Sequence, residues 1–199
     1  MGMKYTRIPV NTFQNLQLNA GYFAKDFDPS AGTVEEDDIL GATSGGANIT
    51  ITPSYTDLGE DIDNCPKNTK ELKQLESWEI KGSGTLVTMN PEIARMFVGA
   101  ADIDKSDATK IVPRTTLSQS DFADLWLIGD YSDKNGAQNG GFIAIHLINA
   151  LSTGGFQIQT TDKAKGKFAF EFTAHQSIAT PDVVPVEIYV KAGTDEPKG

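Results

Sequence analysis

The residue types that carry most enzymic chemistry are scarce in this chain of 199 residues, which has one cysteine, Cys65, and two histidines, His146 and His175. A thiolate nucleophile would need one of those imidazoles beside Cys65 as its base, and a third group to orient the ring. Cys65 stands instead in an acidic, loop-like stretch, which suits a surface or interface thiol, and a single cysteine allows no internal disulfide. Two groups of carboxylates, first Asp57, Glu60, Asp61 and Asp63, then Asp102, Asp104 and Asp107, offer oxygen donors of the kind that hold calcium. Neither has the EF-hand spacing or its closing bidentate Glu, so both read as solvated acidic loops. Gly82-Ser83-Gly84 is a lone Gly-x-Gly within a strand pattern, better suited to a bulge or a close backbone approach than to a phosphate cradle. Trp78 and Trp126 fall in buried strand patterns and read as core residues rather than as a sugar platform. No catalytic site stands out, and neither a metal nor a cofactor is expected.

The elements that carry these side chains are legible from their periods. Trp78, Ile80, Gly82, Gly84 and Leu86 alternate with Glu79, Lys81, Ser83 and Thr85, the period of a strand with one buried and one wet face. The period then changes. Asn90 is a good N-cap, Pro91 suits the first helical position and Glu92 favours the positive end of a helix dipole. Ile93, Met96 and Phe97 form one apolar stripe, and Gly99 can close the end, so one short helix is expected at about residues 91–99.

Upstream, residues 47–56 form a second clear strand, with Asn48, Thr50, Thr52 and Ser54 on one face and Ile49 and Ile51 on the other. Residues 57–70, broken by Gly59 and Pro66, read as a long inter-strand loop. Further strands are expected at 109–117, 122–129, 142–151, 156–160, 168–175 and 186–190, the fifth with Phe168, Phe170 and Phe172 facing one way and Ala169, Glu171, Thr173 and His175 the other. Residues 1–30 read as an extended arm, 26–46 as a loop with a short strand near Ile39 and Leu40, 130–141 as a hairpin loop, and 193–199 as a disordered tail. The fold class is mainly β: an antiparallel β-sandwich or partly closed barrel with one flanking α-helix, in a single domain over residues 1–192.

The formal net charge of −10 repels phosphate, which argues against ordinary binding to nucleic acid or to an anionic membrane surface. No apolar run approaches the length that crosses a bilayer.

The order of features resembles a known family. The acidic loop Thr56-Asp-Leu-Gly-Glu-Asp-Ile-Asp63 comes first. Gly82-Ser-Gly-Thr-Leu-Val-Thr88 and then Asn-Pro-Glu-Ile-Ala-Arg-Met-Phe-Val-Gly-Ala-Ala-Asp102 follow it. Phe168-Ala-Phe-Glu-Phe-Thr-Ala-His-Gln-Ser-Ile178 and Pro-Val-Glu-Ile-Tyr-Val190 close the series. Together they resemble the major tail (tail tube) proteins of long-tailed siphophages and prophages, over roughly residues 40–192. The likeness lies in pattern and segment order rather than in a short motif.

That resemblance implies a structural virion protein, made in the bacterial host cytoplasm, without enzymatic activity or cofactor. It also implies self-assembly into stacked hexameric rings whose strands form a continuous inner barrel, with tape-measure and other tail proteins as partners. Double-stranded DNA would pass through the lumen without specific binding, and no membrane is involved. In this chain, Asn48, Thr50, Thr52, Ser54, Glu79, Lys81, Glu171 and Thr173 are the expected lumen-facing residues. Asp57, Gly59, Glu60, Asp61, Asp63, Lys67 and Lys70 are the expected inter-ring or inter-subunit loop. The acidic half of that loop could meet Lys163, Lys165 and Lys167 of a neighbour, or these residues could be plain solvated turns. A connector or tail-end ring of the same fold, and an acidic β-sandwich that binds carbohydrate, are the alternatives.

Overall fold

The computed structural model describes residues 20–130 and 141–192. In chain order its elements are β1 (Tyr22–Ala24), β2 (Thr43–Asp57), β3 (Lys73–Leu86), α1 (Pro91–Val98), β4 (Ala101–Ile103) and β5 (Ile111–Pro113). They continue with β6 (Ala123–Asp130), β7 (Phe142–Ser152), β8 (Gln157–Gln159), β9 (Lys167–Ala174) and β10 (Val186–Lys191). Eight of the strands form one antiparallel sheet in the order β1-β6-β7-β9-β3-β2, with β10 also on β7 and β8 also on β9. Its two ends, β1 and β2, do not pair, so the sheet is not closed into a barrel. β4 and β5 make a separate two-stranded ribbon.

Two strands turn this sheet into a sandwich by sharing an edge between neighbours. The first part of β7 holds β10, from Phe142↔Lys191 to Leu147↔Val186, while its last three residues hold β9, from Ala150↔Ala174 to Ser152↔Phe172. β9 in turn gives Lys167, Phe168 and Ala169 to β8 and its far end to β7. One layer is thus β1, β6, β7 and β10, the other β2, β3, β9 and β8, joined at the β7–β9 corner. Between them lies the main core, with Phe23, Leu125 and Leu147 from one side and Ile80, Leu86, Phe170 and Phe172 from the other. A second cluster, built on Phe27, Trp126, Ile128 and Phe142, covers the other face of β6 and β7.

Helix α1 closes the main core. Asn90 Oδ1 accepts from the Ile93 amide at 2.9 Å, Pro91 needs no donor there, and Gly99 ends the helix at φ 84. Its apolar stripe buries Ile93, Met96 and Phe97, the Phe97 ring lying 5.0 Å from Phe170 and 5.8 Å from Phe172. Gly82 and Gly84 do mark a close approach, though by side chains rather than by backbone. A Cβ on Gly82 would stand 2.7 Å from Leu147 Cδ1, and one on Gly84 2.9 Å from Phe170 Cζ.

The described part of the expected N-terminal arm, residues 20–30, is not an arm. Phe23 has 0 % exposure in the middle of the main core, β1 pairs with β6, and Phe27 packs edge-on against Trp126 and Phe142. Burial of two phenylalanines outweighs the loop signal of the Asp, Gly and Ser around them. Residues 1–19 of that arm, the hairpin loop over 131–140 and the tail over 193–199 lie outside the described residues. Residues 39 and 40 make only an isolated bridge from Ile39 to Ala24, and β2 begins at Thr43 rather than 47. There Gly45 and Gly46, both at φ 84, carry an irregular step between the Thr43 and Ala47 pairings. The strand expected over 109–117 shrinks to β5; just past it the Arg114 amide donates to the Ala100 carbonyl at 2.8 Å, and its side chain binds the buried Asp121 and, at 2.9 Å, Asp102.

Candidate functional site

The chemistry-bearing residues do not gather. Cys65 is half-buried, with Thr69 Oγ1 and the Pro66 carbonyl as its contacts at 3.8 and 3.6 Å, and neither imidazole beside it. His146 lies flat on Trp126, ring centroids 4.0 Å apart, with Nδ1 3.2 Å from Glu187 and Nε2 3.3 Å from Asp124. Tyr189 donates to the same Glu187 at 2.7 Å. This group ties β6, β7 and β10 together across a packed face. His175 meets the Asn149 carbonyl at 3.3 Å and the edge of Phe122. Asp104 and Asp107 close their own turns, accepting from the amide and hydroxyl of Ser106 and of Thr109, and these bonds hold both carboxyls below the usual range. Among the described residues no group of three or more His, Cys, Asp and Glu could hold a metal ion.

The β2–β3–β9 layer does bring distant residues together. Thr50 stands opposite Lys81, which stands opposite Thr173; Thr52 faces Glu79, and Ser54 faces Ser77. Asn48 pairs with Ser83, which pairs with Glu171. Directly opposed residues share a face. Asn48, Thr50, Thr52, Ser54, Glu79, Lys81, Glu171 and Thr173 therefore form one polar surface, while Ile49, Ile80 and Phe172 alternate with them toward the core. Lys81 donates to Glu79, and that bond, with Glu171 nearby, raises the lysine pKa. Thr153 donates to Glu171 at 3.3 Å and shares a hydrogen bond with Thr173 at 2.8 Å. The surface is uncharged over its β2 half and carries one surplus negative charge over its β3–β9 half.

Beyond the Lys81↔Thr173 pair β3 leaves β9, and the β2–β3 hairpin runs on with no further strand on either edge among the described residues. A bulge between Ser54 and Tyr55 leaves Glu76 unpaired and sets Tyr55 opposite Leu75. Both thereby extend the core-side series Ile51↔Ile80 and Pro53↔Trp78 past the core, where they are 59 % and 45 % exposed. Strict alternation would have put Leu75 on the polar face with Ser77. A bulge carries no sequence mark of its own here, so this apolar extension is a residue set that sequence reasoning missed.

The loop at the hairpin end is built by its first residues and displayed by the rest. Asp57 accepts from the Gly59 amide at 3.0 Å with one oxygen and from the Asn68 amide at 3.1 Å with the other, and pairs with Lys73 at 3.4 Å. Those bonds, the Gly59 amide first, hold its carboxyl below the usual range. Gly59 is buried, and a Cβ there would stand 2.8 Å from Leu72 and 2.9 Å from Cys65. So Asp57 and Gly59 shape the loop. Glu60, Asp61, Asp63, Lys67 and Lys70 are exposed on it, together with Leu58 and Ile62.

Neither a family model nor a curated protein matches the chain. Its fold is similar to a chain in a solved structure of the virion of a native gene transfer agent particle, at 7 % identity and a TM-score of 0.42, over 79 % of this chain and 92 % of that one. It is likewise similar to a chain in the tail of an empty gene transfer agent particle with C6 symmetry, at 8 % identity and a TM-score of 0.41, over 87 % of this chain and 96 % of that one.

Proposed function

We propose that the chain is a structural subunit of a phage-type tail that self-assembles into stacked, hexameric rings and so forms the tube through which DNA leaves. The observation that carries this reading is the hairpin that projects beyond the sandwich with both edges unpaired among the described residues, polar on one face and apolar on the other. Unpaired backbone donors and acceptors are templates for a strand of another chain. β2 and β8 bound opposite edges of one layer, and joining unlike edges is a heterologous contact, which closes into a ring when the rotation allows. The number six comes from the resemblance to tail tube proteins.

The eight-residue polar face would then line the lumen. Hydroxyls, an amide and a slight negative surplus give DNA phosphates no cation to condense on, because Glu79 already neutralises Lys81. Tape-measure and other tail proteins would be its further partners. A carbohydrate-binding module would need an aromatic platform in solvent, but Trp126 is buried, Trp78 is half-buried, and the exposed Tyr55 and Phe156 stand at opposite ends of their layer.

Negative-stain electron microscopy over a protein concentration series tests the reading. Striated tubes are expected, and deletion of residues 59–68 should leave rings that do not stack. Rings that never stack in the intact protein would make it a connector. A monomer at every concentration and salt would overturn the proposal.

A further inference from the structure

The two ends of the β2–β3–β9–β8 layer carry opposite chemistry. At the hairpin end Glu60, Asp61 and Asp63 are exposed on the outgoing half of the loop beside exposed Leu58 and Ile62, with Lys67 and Lys70 exposed on its returning half. At the other end Leu86, the last residue of β3, stands opposite Phe168, which stands opposite Ile158 of β8. Gln159 and Lys167 pair next, so the connection between β8 and β9 leaves the layer beyond Leu86, away from the hairpin loop. That turn exposes Lys163, Lys165 and Lys167 against the one carboxylate of Asp162. Beside it Phe156 and Ile158 are 41 % and 56 % exposed.

Within one chain these ends cannot meet. The 14 residues of β3 hold them roughly 45 Å apart at about 3.3 Å per residue. Between two copies displaced along the strands they can, charge against opposite charge and apolar side chain against apolar side chain. We propose that the β8–β9 turn of one copy receives the hairpin end of a second copy, head to tail. Lys163, Lys165 and Lys167 then face Glu60, Asp61 and Asp63, and Leu58 and Ile62 cover Phe156 and Ile158. The inference rests on the stacked-ring reading and gives the stacking loop its receiving surface. Such a contact leaves a free end on each copy and propagates instead of closing. The exposed charges set register and association rate, and the apolar area supplies most of the affinity.

Two experiments decide it. With Cys65→Ser as background, Asp61→Cys combined with Lys165→Cys should give a ladder of disulfide-linked multimers on mild oxidation, which neither single variant gives. Separately, Lys163→Glu, Lys165→Glu and Lys167→Glu together should leave rings that fail to stack, and adding Glu60→Lys, Asp61→Lys and Asp63→Lys should restore tubes. Tubes of normal length from the lysine-reversed protein, or assembled protein without a ladder, would overturn this contact and leave the tube reading standing. A ladder from protein that never forms rings would sustain the contact and sink the ring reading instead.

Discussion

Asp57 shows how one side chain can decide whether a loop has a shape. Both of its oxygens hold amides of the loop that it begins, and the charge-assisted strength of these bonds is lost when the carboxyl takes a proton. Because its folded pKa lies below the ordinary 3.8, that strength is fully present above that value and is lost as pH falls through the folded pKa. Hydrogen exchange should therefore show the Gly59 and Asn68 amides losing protection in Asp57→Ala at neutral pH. In the wild type the same loss appears only in acid, below the ordinary carboxylate range. Equal protection in the variant would mean that the turn backbone holds the loop without Asp57. The aspartate stood out in the sequence as one of an acidic group, where its neighbours Glu60, Asp61 and Asp63 look the same. Only the fold separates the carboxylate that is turned inward from the three displayed outside.

At the scale of elements, the helix was legible and the first strand was not. Asn90, Pro91 and the stripe of Ile93, Met96 and Phe97 agree on start, direction and face, so local signals were enough. β1 is three residues long, too short for an alternation to show, and it is held by what Phe23 meets from distant strands, including the edge of Phe170 at 5.0 Å. The shared edges of β7 and β9 were equally hidden, since a strand's sequence tells which face is buried but not who its neighbours are. Both elements should nevertheless matter alike to stability. Phe23→Ala and Phe97→Ala should each cost about 3–5 kcal/mol, read as a lower denaturant midpoint at unchanged slope. A loss near zero for Phe23→Ala would return residues 20–30 to the status of a loose arm.

For the whole molecule, unpaired edges and exposed apolar ends tie stability to concentration. If, as proposed, copies of the chain complete one another, they are stabilised by mass action, so the apparent Tm should climb as protein concentration rises, and deletion of residues 59–68 should flatten that climb. A concentration-independent Tm in the intact chain would describe a self-sufficient monomer. The connectivity of the sheet also sets an order of events before any assembly. β2 and β3 are neighbours in sequence and can zip from their own loop, whereas β3 finds β9 only after most of the chain has left the ribosome. Contacts of such long sequence separation form slowly. Until then Phe170 and Phe172 of β9, beyond the residues that β8 can pair locally, travel as an unpartnered aromatic stretch, of the composition that favours aggregation. Lys167, at the head of that strand, and Glu171, inside it, are the charges that guard it while it waits.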